Sequence, residues 1–500
     1  MSWGRQAAQG AFWNYAAFLV SKGLLFVATL VLARVLPKED FGLVSMALLI
    51  ITAFDILRDA GIGAALIYHQ GDPRPAADLA FVLSAGLGIG LFIANWLLAP
   101  WLALYFSTDS HDDLALLTSM VQILGLTLFF ASLGSTQDAL LQKDINYRRR
   151  MIPEVGRTAI KGGLQVVLAL TGWGVWSLVY GQVIGEAGAT LLLWGVARWR
   201  PTFRPDWKLL RPIAGYGAQM ISISGLGWLI ADLDYLIIGR LLGAVPLAIY
   251  TLGFRIPEMV IRNLALSVAT VAFPVTARLQ ADLKALRDAY LTMQHYMLML
   301  LAPLSFGLYA TTPVLMRLLF GTKWEATIPV MKVLCLYMLV SGVGTWAGVV
   351  YKAVGRPDIL NKLAIVNLVL LAPVLWWCTE HGGIVAVAWG QVVMRLVYMA
   401  MHLIVVARFV HISVAANLRV IWPPIAAAGL MALAVRAVWL LDPSQTSVLV
   451  LALAVVVGGA TYLGLMWLID RRALQALLTF GWGFLSRGRP AAAPQPVINT

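Results

Sequence analysis

Six basic side chains stand inside stretches that are otherwise apolar: Lys22, Arg58, Arg157, Lys161, Arg255 and Arg262. Seven acids accompany them: Asp55, Asp59, Glu154, Glu186, Asp232, Asp234 and Glu258. An ionisable group near a bilayer centre costs about 2.5–3.5 kcal/mol on insertion scales, so it faces a bundle interior or an aqueous cavity. A guanidinium can grip phosphate oxygens in two places at once, which makes an anionic head group the natural ligand for such a cavity. The spacing groups the charges. Asp55, Arg58 and Asp59 fall at i, i+3, i+4 on one helical face, and Glu154, Arg157 and Lys161 fall at i, i+3, i+7. Arg255, Glu258 and Arg262 repeat the second spacing, while Lys22 and Glu186 stand alone and Asp232 and Asp234 share a span.

A plainer role competes with this one. Each base could be neutralised by its helical neighbour and merely tie helices together, and for a single pair that reading is at least as good. Taken as a set, the charges favour a cavity, because pairing alone does not account for so many costly groups in both halves of the chain. The acids nearly balance the bases, so the sequence does not establish a net positive cavity. Some of the acids are candidates for binding a coupling H⁺ or Na⁺, although no spacing identifies a cation site.

Other chemistries are poorly served. Asp232-Leu-Asp234 has the form of a metal-holding DxD, but residues two apart on a helix point about 200° away from each other. No phosphate-binding GxxxxGK[ST] loop exists, which disfavours an ATP-driven pump. Cys335 and Cys378 lie in predicted spans without metal or redox spacing. His295 and His402 read as satisfied histidines near helix ends. No cofactor or metal is expected, and the protein reads as a transporter rather than an enzyme.

The elements that must position these charges are membrane helices. Hydrophobic residues make up 60% of the 500-residue chain and charged residues 12%, with a mean hydropathy of +0.81. A soluble chain carries roughly twice that charge fraction. The apolar runs lack the alternation of barrel strands, and a lipid-embedded backbone must satisfy its own polar groups, so an all-α polytopic membrane protein is expected. The first span begins at Ala11 and reads as uncleaved. Others are expected at 41–67, 79–100, 114–137, 152–171 and 174–197, then 213–239, 246–273, 293–316, 327–352, 359–378 and 384–407. Two more at 420–441 and 447–469 bring the total to about fourteen.

The loops give an independent test. Alternate connections are rich in bases: Arg74; Lys143 with Arg148, Arg149 and Arg150; Arg198 to Arg211; Arg278, Lys284 and Arg287; Lys352, Arg356 and Lys362; Arg408 and Arg419; and the tail arginines. The intervening loops are short and poor in bases, with Lys38, Arg240 and Lys323 as the main exceptions. By the positive-inside rule both termini face the cytoplasm, and the net charge of +13 reports orientation rather than nucleic-acid binding.

The chain also repeats itself. Leu30–Ile50, LVLARVLPKEDFGLVSMALLI, aligns without a gap on Leu236–Ile256, LIIGRLLGAVPLAIYTLGFRI, at an offset of 206 residues, with Leu30/Leu236, Arg34/Arg240, Leu36/Leu242 and Ile50/Ile256 identical. Two homologous six-helix lobes follow: 1–197, then a basic linker at 198–211, then 212–408, with extra helices in 409–470 and a cytoplasmic disordered tail at 471–500. The linker, RWRPTFRPDWKLLR, interleaves bases with aromatics and could hold anionic lipid head groups, but the plainer reading as a positive-inside connection is favoured. Ala277–Leu291 has the periodicity of an interfacial amphipathic helix.

Gly10–Ile50 (GAFWNYAAFLVSKGLLFVATLVLARVLPKEDFGLVSMALLI) resembles the opening of Wzx-type oligosaccharide flippases of the polysaccharide transporter family. Asp232–Met259 (DLDYLIIGRLLGAVPLAIYTLGFRIPEM) resembles the start of their second lobe. The likeness is nearest to the colanic-acid-exporter-like branch, within the superfamily that holds lipid II flippases and MATE exporters. It implies two six-helix lobes around a central cavity, and export of undecaprenyl-diphosphate-linked oligosaccharide across a bacterial inner membrane for exopolysaccharide, capsule or O antigen. It further implies cavity cations at positions such as Lys22, Arg58 and Arg255. Implied partners are the lipid-linked glycan, membrane lipids, a polysaccharide polymerase and a chain-length regulator, with no nucleic acid among them. The alternatives are a MATE-like ion-coupled drug exporter, and further off a membrane glycosyltransferase or polymerase, for which the outside loops look too short.

Overall fold

The computed structural model describes residues 3–477, apart from 60, 107–110, 145, 267–275, 277, 280, 281, 354, 357, 411 and 443–445. Of the expected disordered tail at 471–500, residues 471–477 are instead helical, with Ala473 and Leu474 buried; from residue 478 onward it lies outside the described residues, as does part of the expected amphipathic stretch 277–291. Every regular element among the described residues is helical, as a backbone surrounded by lipid requires. The chain divides into two compact units, residues 1–248 and 249–500.

The first unit holds α1 (Trp3–Val35), α2 (Lys38–Asp59), α3 (Ile62–Tyr68), α4 (Pro73–Phe106), α5 (His111–Leu124), α6 (Leu126–Lys143), α7 (Tyr147–Leu170), α8 (Trp176–Val196) and α9 (Leu210–Leu242). The division falls inside α10 (Ala244–Pro257). In this unit α7 packs along α1 and α8, and α9 packs on α2, α3 and α4. The second unit continues through a π turn (Glu258–Arg262) to α11 (Leu283–Phe320), α12 (Thr327–Ala353), α13 (Asp358–Val410), α14 (Val414–Val438) and α15 (Val448–Ile469). There α11 packs against both α12 and α14.

Eleven segments among the described residues are long and apolar enough to cross a membrane. One of them, α13, bends back on itself at Gly383, whose φ of 62° is the left-handed backbone that glycine adopts without a Cβ penalty. The fold-back is visible in the packing, since Gly390 lies against Cys378 and Leu375 of the preceding arm. Counting both arms gives twelve. The 24-residue α7 and the 21-residue α8 are long enough to cross but less apolar, and they complete the fourteen. The chain is a multi-pass helical membrane protein.

Two expected spans are internally broken. The stretch 41–67 divides into α2 and α3 at Gly61, and 114–137 divides into α5 and α6 at Gly125. The repeat also has a structural counterpart. After α1 the chain turns at Leu36–Pro37 and resumes as α2 at Lys38; after α9 it turns at Gly243 and resumes as α10 at Ala244, again 206 residues on.

Apolar packing fills each unit from within. Ile62 and Leu66 of α3 pack on Ala76, Ala77, Leu79 and Ala80 of α4 and on Ala139 of α6, with Trp199 and Leu209 of the linker at the margin. In the second unit Val314, Val435, Val438, Trp439 and Ala454 join α11, α14 and α15. Leu449, Val455, Val456 and Leu468 of α15 point outward, which suits lipid rather than water. The linker is fastened by buried Asp78 of α4, whose carboxylate accepts from the Thr202 and Arg204 amides and from the Thr202 hydroxyl.

Candidate functional site

A polar cavity penetrates the first unit, and α7 carries most of its charge. Arg150, Glu154, Arg157 and Lys161 succeed one another at intervals of four, three and four residues, so they share one helical face. This face lines two adjoining hollows. The first has a volume of about 440 Å³ and adds Arg58 and Asp59 of α2, Asp138 and Gln142 of α6, and Glu186 of α8. The second, of about 340 Å³, adds Ser21 and Lys22 of α1, Lys161 of α7 and Gln182 of α8. Glu154, Arg157 and Glu186 belong to both.

Close helix packing sets the geometry. A Cβ added at Gly185 of α8 would lie 2.7 Å from the Cβ of Lys161, so only glycine lets α8 approach α7 this nearly. That approach carries the next residue, Glu186, to within 3.5 Å of Arg157. Glu186 is largely covered and Arg157 is half exposed. Arg58 is mostly covered and donates from Nε to Asp55 at 2.6 Å on the preceding turn. Arg150 donates to both carboxylate oxygens of Asp138, at 2.7 and 3.2 Å. Lys22 lies over the Phe18 ring, with its ammonium 5.6 Å from the ring centroid.

The fold therefore gathers four of the six expected cations, Lys22, Arg58, Arg157 and Lys161, with three of the expected acids, Asp59, Glu154 and Glu186. Arg150 and Asp138 join them. The sequence alone puts Arg150 in a basic loop and does not single out Asp138. Arg150 stands four residues before Glu154, so extending the helical face backwards by one turn would have found it; Asp138 offered no local signal. Five bases face four acids in these two hollows, an excess of one positive charge.

The remaining candidates lie elsewhere. Asp55 supports Arg58 from the side. Asp234 of α9 is buried and accepts from the Tyr235 amide, while Asp232 is half buried on the same unbroken helix; neither lines the two hollows. Arg255 closes α10 in the second unit. Glu258 and Arg262 lie in the π turn that follows and pair with each other, so the face expected from i, i+3, i+7 spacing passes through a wider turn.

An all-helical, many-span membrane protein with a charge-lined hollow among its first eight helices is the class that fold and site define. The polysaccharide biosynthesis protein family matches residues 31–329, more than half of the chain, and the protein belongs to that family. It is 25% identical to the teichuronic acid biosynthesis protein TuaB of Bacillus subtilis (strain 168) over 415 residues, 82% of this chain and 85% of that one. It is 26% identical to the lipopolysaccharide biosynthesis protein WzxC of Escherichia coli (strain K12) over 401 residues, 79% and 80% of the two chains. Among solved structures, the lipid II flippase MurJ in an inward closed conformation superposes with a TM-score of 0.75 at 12% identity, covering 92% of this chain and 98% of MurJ. An inward-facing multidrug MATE transporter of the MOP superfamily gives 0.64 at 15% identity, covering 80% and 99%. At these identities the structural likeness concerns the fold alone.

Proposed function

We propose that this protein translocates undecaprenyl-diphosphate-linked oligosaccharide repeat units across the inner membrane of a bacterium by alternating access, supplying exopolysaccharide, capsule or O-antigen assembly. Family membership supports the substrate class, and the observation that carries the site is the convergence of Lys22, Arg157 and Lys161 on one hollow. Half-exposed Arg157 and the flexible ammonium of Lys22 are suited to receive diphosphate oxygens, with Ser21 and Gln182 as neutral donors beside them. Arg58, Arg255 and Arg262 complete the proposed set of substrate cations.

In this reading the acids balance charge and offer sites for a coupling H⁺ or Na⁺: Glu154, Glu186 and Asp59 in the cavity, Asp55 one turn before Asp59, and Asp232, Asp234 and Glu258 outside the two hollows. No cofactor takes part. Both termini face the cytoplasm, supported by the alternation of basic loops. Lobes 1–197 and 212–408, the linker between them and the extra helices of 409–470 are the proposed functional divisions, and a polymerase and a chain-length regulator are the proposed protein partners. A MATE-like exporter of cationic drugs is the second reading; it has the fold likeness in its favour and the basic cavity against it.

Reconstituted proteoliposomes test the assignment. A fluorescent undecaprenyl-diphosphate oligosaccharide is loaded, and a membrane-impermeant enzyme reports which leaflet holds the glycan. Protein-dependent translocation supports the proposal. Its absence across several glycans, with proton and Na⁺ gradients imposed, would transfer the weight to the drug-exporter reading.

A further inference from the structure

Most of the intramembrane arginines described above have an acid beside them. Arg58 has Asp55, Arg150 has Asp138, Arg157 has Glu186 and Arg262 has Glu258. Arg395 differs. It lies in the second arm of α13, twelve residues beyond Gly383. At 1.5 Å per residue this is about 18 Å along the helix, near the middle of a ~30 Å hydrocarbon core. No carboxylate among the described residues lies within ion-pair distance of it. Its polar partner is the Ser341 hydroxyl of α12, which accepts from Nε at 2.7 Å. Its guanidinium lies 5.3 Å from the ring centroid of Tyr337 and 5.7 Å from that of Tyr398.

We propose that Arg395 is the centre of an oxyanion-binding site in the second unit, formed between α12 and the second arm of α13, with Ser341, Tyr337 and Tyr398 as its walls. The ligand is a phosphate of the lipid diphosphate or a carboxylate on the transported sugar, and the inference rests on the proposed substrate class. A guanidinium offers five N–H donors, and Ser341 uses one. The tyrosine faces stabilise the cation through their ring quadrupoles yet leave the Nη donors without a protein acceptor among the described residues. A mid-membrane arginine held in this way carries an unneutralised positive charge, which marks a functional site by default.

The walls are braced from behind. Tyr337 meets Phe254 edge to face at 5.6 Å, and Tyr398 meets His402 edge to face at 4.4 Å. His402 stacks on Tyr351 at 5.6 Å, and the Tyr351 hydroxyl donates to the His402 carbonyl. The aromatic frame fixes the guanidinium before any ligand arrives, and its ring faces suit the apolar face of a sugar as well as the cation.

Binding of two probes to the purified full-length protein tests this: undecaprenyl diphosphate carrying a neutral oligosaccharide, and the same lipid carrying an oligosaccharide with one uronic acid. Arg395→Ala is expected to weaken binding about tenfold, with Arg395→Lys intermediate because a lysine lacks the planar fork. Equal loss for both probes assigns the site to phosphate; loss confined to the acidic probe assigns it to the sugar carboxylate. Phenylglyoxal labelling of the wild-type protein, read by mass spectrometry, gives the same answer without a substitution, because a bound probe should protect Arg395. Wild-type binding with neither protection of Arg395 nor loss in the variants overturns this site alone. Failure of both probes to bind the wild type overturns the proposed substrate class, and this site with it.

Discussion

Arg157 on α7 and Glu186 on α8 meet across 3.5 Å at the wall shared by the two hollows of the first unit. The pair joins both roles that intramembrane charges can play. Glu186 is covered and needs a counter-charge, while Arg157 keeps half its surface open to the cavity. An arginine in that position can hold the helices together and still present N–H donors to an incoming anion.

Removing the guanidinium should therefore affect transport. Arg157→Ala is expected to lower translocation of lipid-linked oligosaccharide by about tenfold, equivalent to ~1.4 kcal/mol, with Arg157→Lys retaining part of the rate. Lys22→Ala, which removes a cation that shares the same hollow, should act in the same direction. Leaflet-specific glycan cleavage in proteoliposomes at matched protein level provides the measurement, and wild-type rates in both variants would remove these residues from the site.

Asp78 is expected to matter for stability rather than for transport. It is 2% exposed and receives three hydrogen bonds from Thr202 and Arg204 of the linker. Asp78→Ala should cost about 1–3 kcal/mol, the usual range when a buried hydrogen-bond partner is removed. Thermal unfolding in detergent should show the loss, and limited proteolysis should cut the linker around Arg204 sooner than in the wild type.

Gly42 of α2 tests how closely helices must approach. A Cβ at that position would overlap the backbone carbonyl of Ala244 at the start of α10. Gly42→Ala should force a backbone shift costing about 1–3 kcal/mol, as overpacking does. Gly23→Ala is the control, since an added Cβ there meets nothing within 4 Å, and alanine favours the helix over glycine. Equal melting temperatures for the two variants would show that the α2–α10 approach is not tight.

A pH effect is expected where α15 ends. The Asp470 carboxylate lies 3.0 Å from His295 Nε2, while His295 Nδ1 lies 2.9 Å from the Val420 carbonyl. The His295 ring beside it is the largest influence on the Asp470 carboxyl and holds it below its ordinary value of 3.8, against the opposing effect of burial. A lowered acid stabilises the folded state above its unfolded-state value, and that contribution disappears as the pH falls through the lowered one. Melting temperatures measured from neutral to acid pH should drop in this window for the wild type and drop less for Asp470→Asn. Parallel curves would exclude Asp470 as the titrating group.

Parts of the site were readable from the chain alone because they are local. Glu154, Arg157 and Lys161 share a face by spacing, whatever surrounds them, and Lys22 and Arg58 are conspicuous because their neighbours are apolar. Other parts could not be read that way. Asp138 lines the hollow because the turn after α6 returns Arg150 to it, and the breaks at Gly61 and Gly125 interrupt runs whose hydropathy is continuous. Arg395 escaped notice for a different reason. Its neighbours in sequence carry no charge to form a pattern, and its two tyrosine contacts come from one residue a turn away on α13 and another on α12.

What the sequence determined by itself is the solvent and the secondary structure: long apolar runs must be helices in lipid. It also determined which helices bear charge. Only the tertiary structure decided which of those charges meet. Contacts such as Arg157 to Glu186 depend on where one helix is rotated and how closely a glycine lets the next approach, and neither quantity is encoded by periodicity within a single helix.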